Sequence, residues 1–424
     1  MRRLSLSDTI FYNLGDCYIT GAFVLDGPCD PAAFVAEIEG VVEAMPAMAE
    51  RPRRIGVWTF AERSPPLDLT NHIAIVRDRT VTRIEQIVLH LDRLRRSRIE
   101  DDRPPWRVFI LNPLDGAPHD HGPPPLSALL IQSRHGLADA MRGLQILARM
   151  ARYEPAERHV ALAARLPFVD PALLAGGIDV HDVGLSAMQV PRRGMSRDGD
   201  ASERLAAVAA SIVAETGLFP HARPLRGNIG RTRIVRRRIS ENGLGNHIKM
   251  VTVSTGAGAG KRRWRIPGLA RAQNLQLTQW LVALAPRRLA RRMMRIWYAN
   301  FDAIATLVPL QRHLVVGRRH VTAAFGVPPL WGPVPLAMIA FADGEHYHLT
   351  VMPGKGFTAD RDLLLQRIGR LLNPETATDR DAIADVGAAL AEDERRSAQR
   401  SRYGQGADGS SSSPVNVPAS VKSP

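Results

Sequence analysis

The stretch from Ala128 to Arg149, ALLIQSRHGLADAMRGLQILAR, constrains the chain most. Ala128 to Ile131 is an apolar run of buried-strand length, and Met141, Leu144, Ile146 and Leu147 recur on one face of a following helix. A strand that turns sharply into a helix presents the side chains of its junction to a cavity. His135 and Asp139 stand at that junction. An imidazole titrates near neutrality and suits proton abstraction from a hydroxyl, while a carboxylate on the same loop can hold the loop without touching substrate. The structural alternatives are a packing histidine and an aspartate that caps the helix.

A chain of 424 residues with 45% hydrophobic content exceeds the usual single-domain size, so two lobes with a cleft between them are expected. Lys and Arg outnumber Asp and Glu 56 to 42, and the resulting +14 charge favours an acidic partner: nucleic acid, anionic lipid or a phosphorylated cosubstrate. Nucleic acid is disfavoured, because the basic segments lack interleaved aromatics and no binding motif is present. Cys17 and Cys29, the only cysteines, form no CxxC spacing, which speaks against a disulfide framework or zinc site and for a reducing cytoplasm. No signal-peptide core and no apolar run of membrane-span length occur, so the expected location is cytoplasmic.

Strand patterns cover Tyr18 to Leu25, Ile55 to Phe60, Arg107 to Leu111, Arg231 to Arg238, Ile248 to Val253, Leu314 to Val316, Ala337 to Ala342 and His346 to Val351. Helices are expected after Asp30, which caps a run opening with Pro31, and from about Arg83 to Arg96, Leu205 to Val213, Gln276 to Ala305 and Asp362 to Leu372. Strands interspersed with helices indicate α/β or α+β lobes. The expected boundaries are 1–152 for a first lobe carrying HxxxD, 153–230 for a crossing linker, 231–396 for a shortened second lobe and 397–424 for a disordered tail. Arg231 to Arg238 could equally bind phosphate. His119-Asp120-His121 lies in a Gly/Pro turn and reads as a hairpin loop; no metal site is expected. Pro286 to Tyr298 interleaves Arg287, Arg288, Arg291, Arg292 and Arg295 with Leu289, Met293, Met294, Ile296 and Trp297. It reads either as a helix lying on an anionic membrane or as an ordinary packed helix with a solvated face.

Several motifs in order resemble the bacterial wax ester synthase/diacylglycerol acyltransferase family. Leu4 to Asp8 with Phe11 resembles its LSxxD start, Leu67 to Ile73 its FDLxxHV segment, and Asp102 to Trp106 its RPLW element. Arg134 to Ala140 stands in place of HHxxxDG, with Arg134 for the first histidine and Ala140 for the glycine. Pro224 to Gly230 resembles PLNGPIG, Asn246 after Gly245 resembles either the ND motif or the GNR strand, and Asp343-Gly344 begins the DGxxLNITV hairpin. The later motifs are altered: GRRHVTAAF follows Val316 where SNVPGP would stand.

The resemblance implies the two-lobed chloramphenicol acetyltransferase-like fold with mixed sheets and an inter-lobe tunnel delivering acyl-CoA to the HxxxD histidine. It implies transfer of a fatty acyl group to a long-chain alcohol or diacylglycerol, with acyl-CoA as cosubstrate and no other cofactor. His135 would be the general base and Asp139 a loop-holding partner. Arg134, Pro105, Trp106 and Asn246 would line the substrate path. The runner-up is a catalytically weakened relative that binds acyl or lipid ligands or pairs with an active paralogue. Peripheral contact with an anionic membrane or lipid droplet, at the inner membrane surface, goes with the membrane reading of the basic helix.

Overall fold

A computed structural model describes residues 1–15, 18–56, 58–63, 67–78, 81–113, 126–137, 140–150, 153–174, 178, 180, 182–192, 198–215, 218–219, 227–234, 248–254, 276–311, 313–327, 329–330 and 332–373. Asp139, Asn246, the His119 to His121 tract and the 397–424 tail lie outside the described residues.

Two mixed sheets form the frame. The first has seven strands in the order Val315–Val316, Arg319–Val327, Tyr18–Leu25, Ser127–Arg134, Trp106–Asn112, Ile73–Arg77 and Phe168–Val169. Its centre is antiparallel: Tyr18 pairs with Arg134 and Leu25 with Ser127, while Trp106 pairs with Ser133 on the other side. The second has six, ordered Ile248–Ser254, Asn228–Ile234, Ala303–Pro309, Leu336–Ala342, His346–Pro353 and Ser186–Pro191. A third sheet of Arg2–Arg3, Trp58–Arg63 and Glu50–Ile55 lies beside the N-terminal helix Leu6–Leu14.

The two large sheets exchange strands. Arg319–Val327, late in the chain, pairs with Tyr18–Leu25, and Ser186–Pro191 pairs with His346–Pro353. Segment 153–230, expected as a linker, therefore contributes structure: the Asp198–Ala214 helix packs on the second sheet through Leu205, Val208 and Ile212. Two further expectations need correction. Glu50–Ile55 and Trp58–Arg63 form a hairpin turning through Gly56 at φ +60°, where a single strand was expected. Ala303–Pro309 is a central strand, not the end of a helix; it is buried along nearly its whole length, so no alternation marks it.

Local chemistry accounts for the helices read correctly. The Asp30 carboxylate accepts from the N–H of Ala32 at 2.9 Å and of Ala33 at 3.2 Å, starting Pro31–Ala44. The sheets meet where Phe341 packs edge-on to Phe23 at 6.3 Å and against Gly326, where a Cβ would come within 2.7 Å of the Phe341 ring.

Glu37 on the Pro31–Ala44 helix is buried and accepts from the Gly317 N–H at 2.8 Å, holding a turn in which Gly317 and Arg318 both have positive φ. Burial raises its pKa from the ordinary 4.5 to about 7, with Asp30 adding to the rise and the Gly317 and Arg318 groups opposing it. The folded state thus holds this proton more tightly than the unfolded chain. The contribution is most favourable below the unfolded pKa and is lost as pH rises through about 7, by roughly 3 kcal/mol. Glu37→Gln keeps the acceptor and removes the titration. Thermal melts at pH 5 and pH 8 should differ less in Glu37→Gln than in the parent; an unchanged difference would clear Glu37 of this role.

Candidate active site

Strand Ser127–Arg134 ends in a tight turn: the Arg134 N–H donates to the Pro105 carbonyl at 2.9 Å and the Leu137 N–H to the Arg134 carbonyl at 2.9 Å. His135 stands on this turn, partly buried, with its ring stacked parallel on Phe11 at 3.9 Å between centroids. Phe11 belongs to the Leu6–Leu14 helix, so that helix lies across the histidine. The Leu4 to Asp8 element explains where the helix begins. The Ser5 hydroxyl accepts from the Asp8 N–H at 3.1 Å and donates to the Asp8 carboxylate at 2.6 Å.

Gly136 lets the helix approach. A Cβ there would lie 2.5 Å from the Tyr12 ring and 3.0 Å from the Asp8 carbonyl oxygen. Gly136→Ala should therefore displace the helix and lower stability by about 1–3 kcal/mol, and the loss should shrink in a Tyr12→Ala background. Equal losses in both backgrounds, measured by denaturant titration, would remove the steric account. A small cavity adjoins the turn, lined by Gly136, Leu137, Asp8, Tyr12, Glu50 and Arg51 among others; His135 is not part of its lining.

The other end of the Leu6–Leu14 helix ties the turn to the second half of the chain. Buried Asn13 donates to the carbonyls of Val282 at 3.2 Å, Ala283 at 3.3 Å and Ala285 at 2.7 Å, and accepts from Arg54 at 2.7 Å. Arg291 Nε donates to the Leu14 carbonyl at 2.8 Å, and the Arg287 guanidinium lies against Gly15, whose φ is +83°. Phe11, Tyr12 and Asn13 were not singled out as site residues. The hints in the sequence are the place of Phe11 in the N-terminal motif and a polar Asn13 among apolar neighbours.

Three of the four expected substrate-path residues, Arg134, Trp106 and Pro105, make structural contacts in the described part of the chain. The Arg134 guanidinium is buried, pairs with Asp101 and reaches the Ile99 carbonyl at 3.4 Å. Burial disfavours its charge, yet the Tyr18 phenol and Asp101 hold its pKa above the usual range. Trp106 is buried, with its indole N–H donating to the Met48 carbonyl at 2.8 Å and its ring 4.5 Å from that of His72. Pro105 is buried and supplies the carbonyl that receives Arg134. In this structure the Arg134–Asp101 pair, the Pro105 carbonyl and the Trp106 indole brace the strand end, because buried polar groups take partners within the protein.

Asp343 begins a hairpin as the motif suggests. Its carboxylate accepts from the N–H of Glu345 and of His346 at 2.6 Å each, and from His348 Nε2 at 2.9 Å. Burial opposes its ionisation, but these donors hold the carboxyl below its usual range. Buried His348 completes its bonding through Gln189 at 3.0 Å, so this pair clasps the hairpin to strand Ser186–Pro191.

The sequence matches no protein-family model and no curated protein. Solved structures do match. A variant of the starter condensation domain of rhizomide synthetase, in complex with C8-CoA, aligns with a TM-score of 0.53 at 11% identity, over 88% of this chain and 94% of that one. This chain has a condensation-domain fold. The first condensation domain of the CDA synthetase gives a TM-score of 0.52 at 13% identity, over 89% of this chain and 98% of that one. The wax ester synthase/diacylglycerol acyltransferase from Marinobacter aquaeolei VT8 aligns at 15% identity over 92% and 98%, with a TM-score of 0.48. The expected two-lobed acyltransferase fold with mixed sheets is thus the fold observed.

Proposed function

We infer that the chain is an acyl-CoA-dependent O-acyltransferase of the cytoplasm, moving a fatty acyl group to the hydroxyl of a long-chain alcohol or diacylglycerol. The observation that carries this reading is a partly buried imidazole, His135, on the turn that ends the middle strand of the seven-stranded sheet in a condensation-domain fold. A general base belongs on a rigid element whose neighbours cannot move it, and the Arg134 ion pair and the Pro105 and Leu137 hydrogen bonds provide that. His135 would take the proton as the hydroxyl oxygen attacks the thioester carbonyl. It would return the proton to the CoA thiolate as the carbon–sulfur bond breaks, leaving an ester and free CoA. Asp139 would hold the loop. No covalent enzyme intermediate is needed.

A second reading, an acyl-binding relative without turnover, draws on the Phe11 ring stacked over the imidazole and on Arg134 in place of a histidine. Mass-spectrometric screening of a panel of acyl-CoA thioesters against alcohols and diacylglycerol separates the two. Ester and free CoA forming together support the transferase; saturable acyl-CoA binding with no ester from any pair supports the binder.

A further inference from the structure

We propose that the helix pair Gln276–Leu284 and Arg287–Tyr298 forms a docking face for an anionic lipid bilayer, which the chain meets peripherally. Arg288, Arg292 and Arg295 lie at i, i+4 and i+7, all exposed and on one side of the second helix. Among the described residues their side chains have no ion pair or hydrogen bond. Arg287 and Arg291 do not belong to this stripe, because both are engaged by the Leu6–Leu14 helix. The buried side of the same helix is anchored by Ala290 and Tyr298, with Met294 and Trp297 packed on the core, so its orientation is set.

Aliphatic side chains flank the arginines. Leu289 and Ile296 are 49% and 60% exposed, seven residues apart on the edge of the arginine stripe, and Leu281 and Leu284 on the first helix are 55% and 36% exposed. Isolated exposed leucines mean little, but Leu289 and Ile296 at the edge of three arginines with no partner among the described residues give one helix face two chemistries, and Leu281 and Leu284 add exposed apolar area on the helix before it. Charge along the chain agrees: between Glu241 and Asp302 there is no Asp or Glu, against eleven Lys or Arg.

That combination selects the occupant. Phosphate groups of lipid meet the arginines while the aliphatic side chains enter the headgroup and acyl boundary, as interfacial amphipathic helices do. Nucleic acid would use the arginines and leave the leucines in water. No described helix is long and apolar enough to cross a membrane, so the contact is with its surface. These helices also hold the Leu6–Leu14 helix over His135, so the docking face and the candidate site share one support.

Flotation of the full chain with vesicles tests this without requiring turnover. Binding is expected to phosphatidylcholine vesicles carrying about a third phosphatidylglycerol, to weaken at high salt, and to fall sharply with pure phosphatidylcholine. Arg288→Glu, Arg292→Glu and Arg295→Glu together should weaken it by roughly 100-fold. Leu289→Ser with Ile296→Ser should weaken it at any salt. Circular dichroism checks folding, and the milder triple Arg→Gln variant keeps the test open if charge reversal misfolds. Parent binding that survives the triple variant, or its absence from anionic vesicles, overturns the proposal. So does duplex DNA competing away the vesicles while the Leu289→Ser, Ile296→Ser variant binds as the parent does.

Discussion

His135→Ala should lower acyl-transfer turnover by roughly 10²–10⁴-fold, the range a positioned general base contributes. The reason is specific: without the imidazole, the attacking hydroxyl must lose its proton to water, and the barrier rises by about 3–5 kcal/mol. The substitution also leaves space beneath Phe11, so stability must be measured alongside rate. His135→Gln fills more of that space and should restore stability without restoring turnover. Acyl-CoA affinity should persist in both variants, since the base acts on the acceptor. Parent turnover that survives His135→Ala unchanged would eliminate the mechanism, whatever the fold.

The second large effect concerns a buried ion pair. Arg95, near the end of helix Ile84–Arg95, makes two bonds to Asp182, at 2.8 and 2.7 Å, and both side chains are almost fully buried. Asp182 also accepts from the Gly184 N–H at 2.9 Å. It sits just before Ser186–Pro191, the strand that the chain's first half gives to the second sheet, so the pair joins the two lobes. Asp182→Ala strands a buried guanidinium with Asp92 as its remaining carboxylate partner, and the expected cost is about 3–5 kcal/mol. Adding Arg95→Met should recover a substantial part, because the uncompensated charge is then gone. A loss under about 1 kcal/mol in denaturant titration would mean that water or a shifted Asp92 takes over. Hydrogen exchange along Ser186–Pro191 should quicken first, since that strand depends on the anchor.

Arg95 and Asp182 also illustrate what could be read early. The helix around Arg95 was legible, because Ile87, Val88, Leu91 and Leu94 recur at helical spacing and that period is a local property. Its partner was not, since Asp182 lay in a stretch read as linker.

The same division runs through the whole protein. The Asp30-Pro31 helix start, strand Tyr18–Leu25, the Ser127–Arg134 strand with its His135 turn and the His346 hairpin follow from capping, alternation and turn chemistry within a few residues. The ordered motifs extended this to a two-lobed acyltransferase fold, which the solved condensation domains match. Sheet membership was another matter. Arg319–Val327 and Ser186–Pro191 cross between sheets, and strand pairing over hundreds of residues leaves no local period to read. Side-chain roles divided likewise. Arg134 and Trp106 look like ligand-facing residues by motif, but Asp101 and the Met48 carbonyl, distant in sequence, fold back to satisfy them. Local sequence determined which residues turn, cap and alternate; the tertiary structure alone decided that a phenylalanine from the N-terminal helix lies on His135 and that, of five clustered arginines, Arg287 and Arg291 meet the N-terminal helix end while Arg288, Arg292 and Arg295 are exposed with no partner among the described residues. The physical reason is that a buried polar group is satisfied by whichever partner the packed chain brings within reach, and that partner carries no signature in the neighbouring residues.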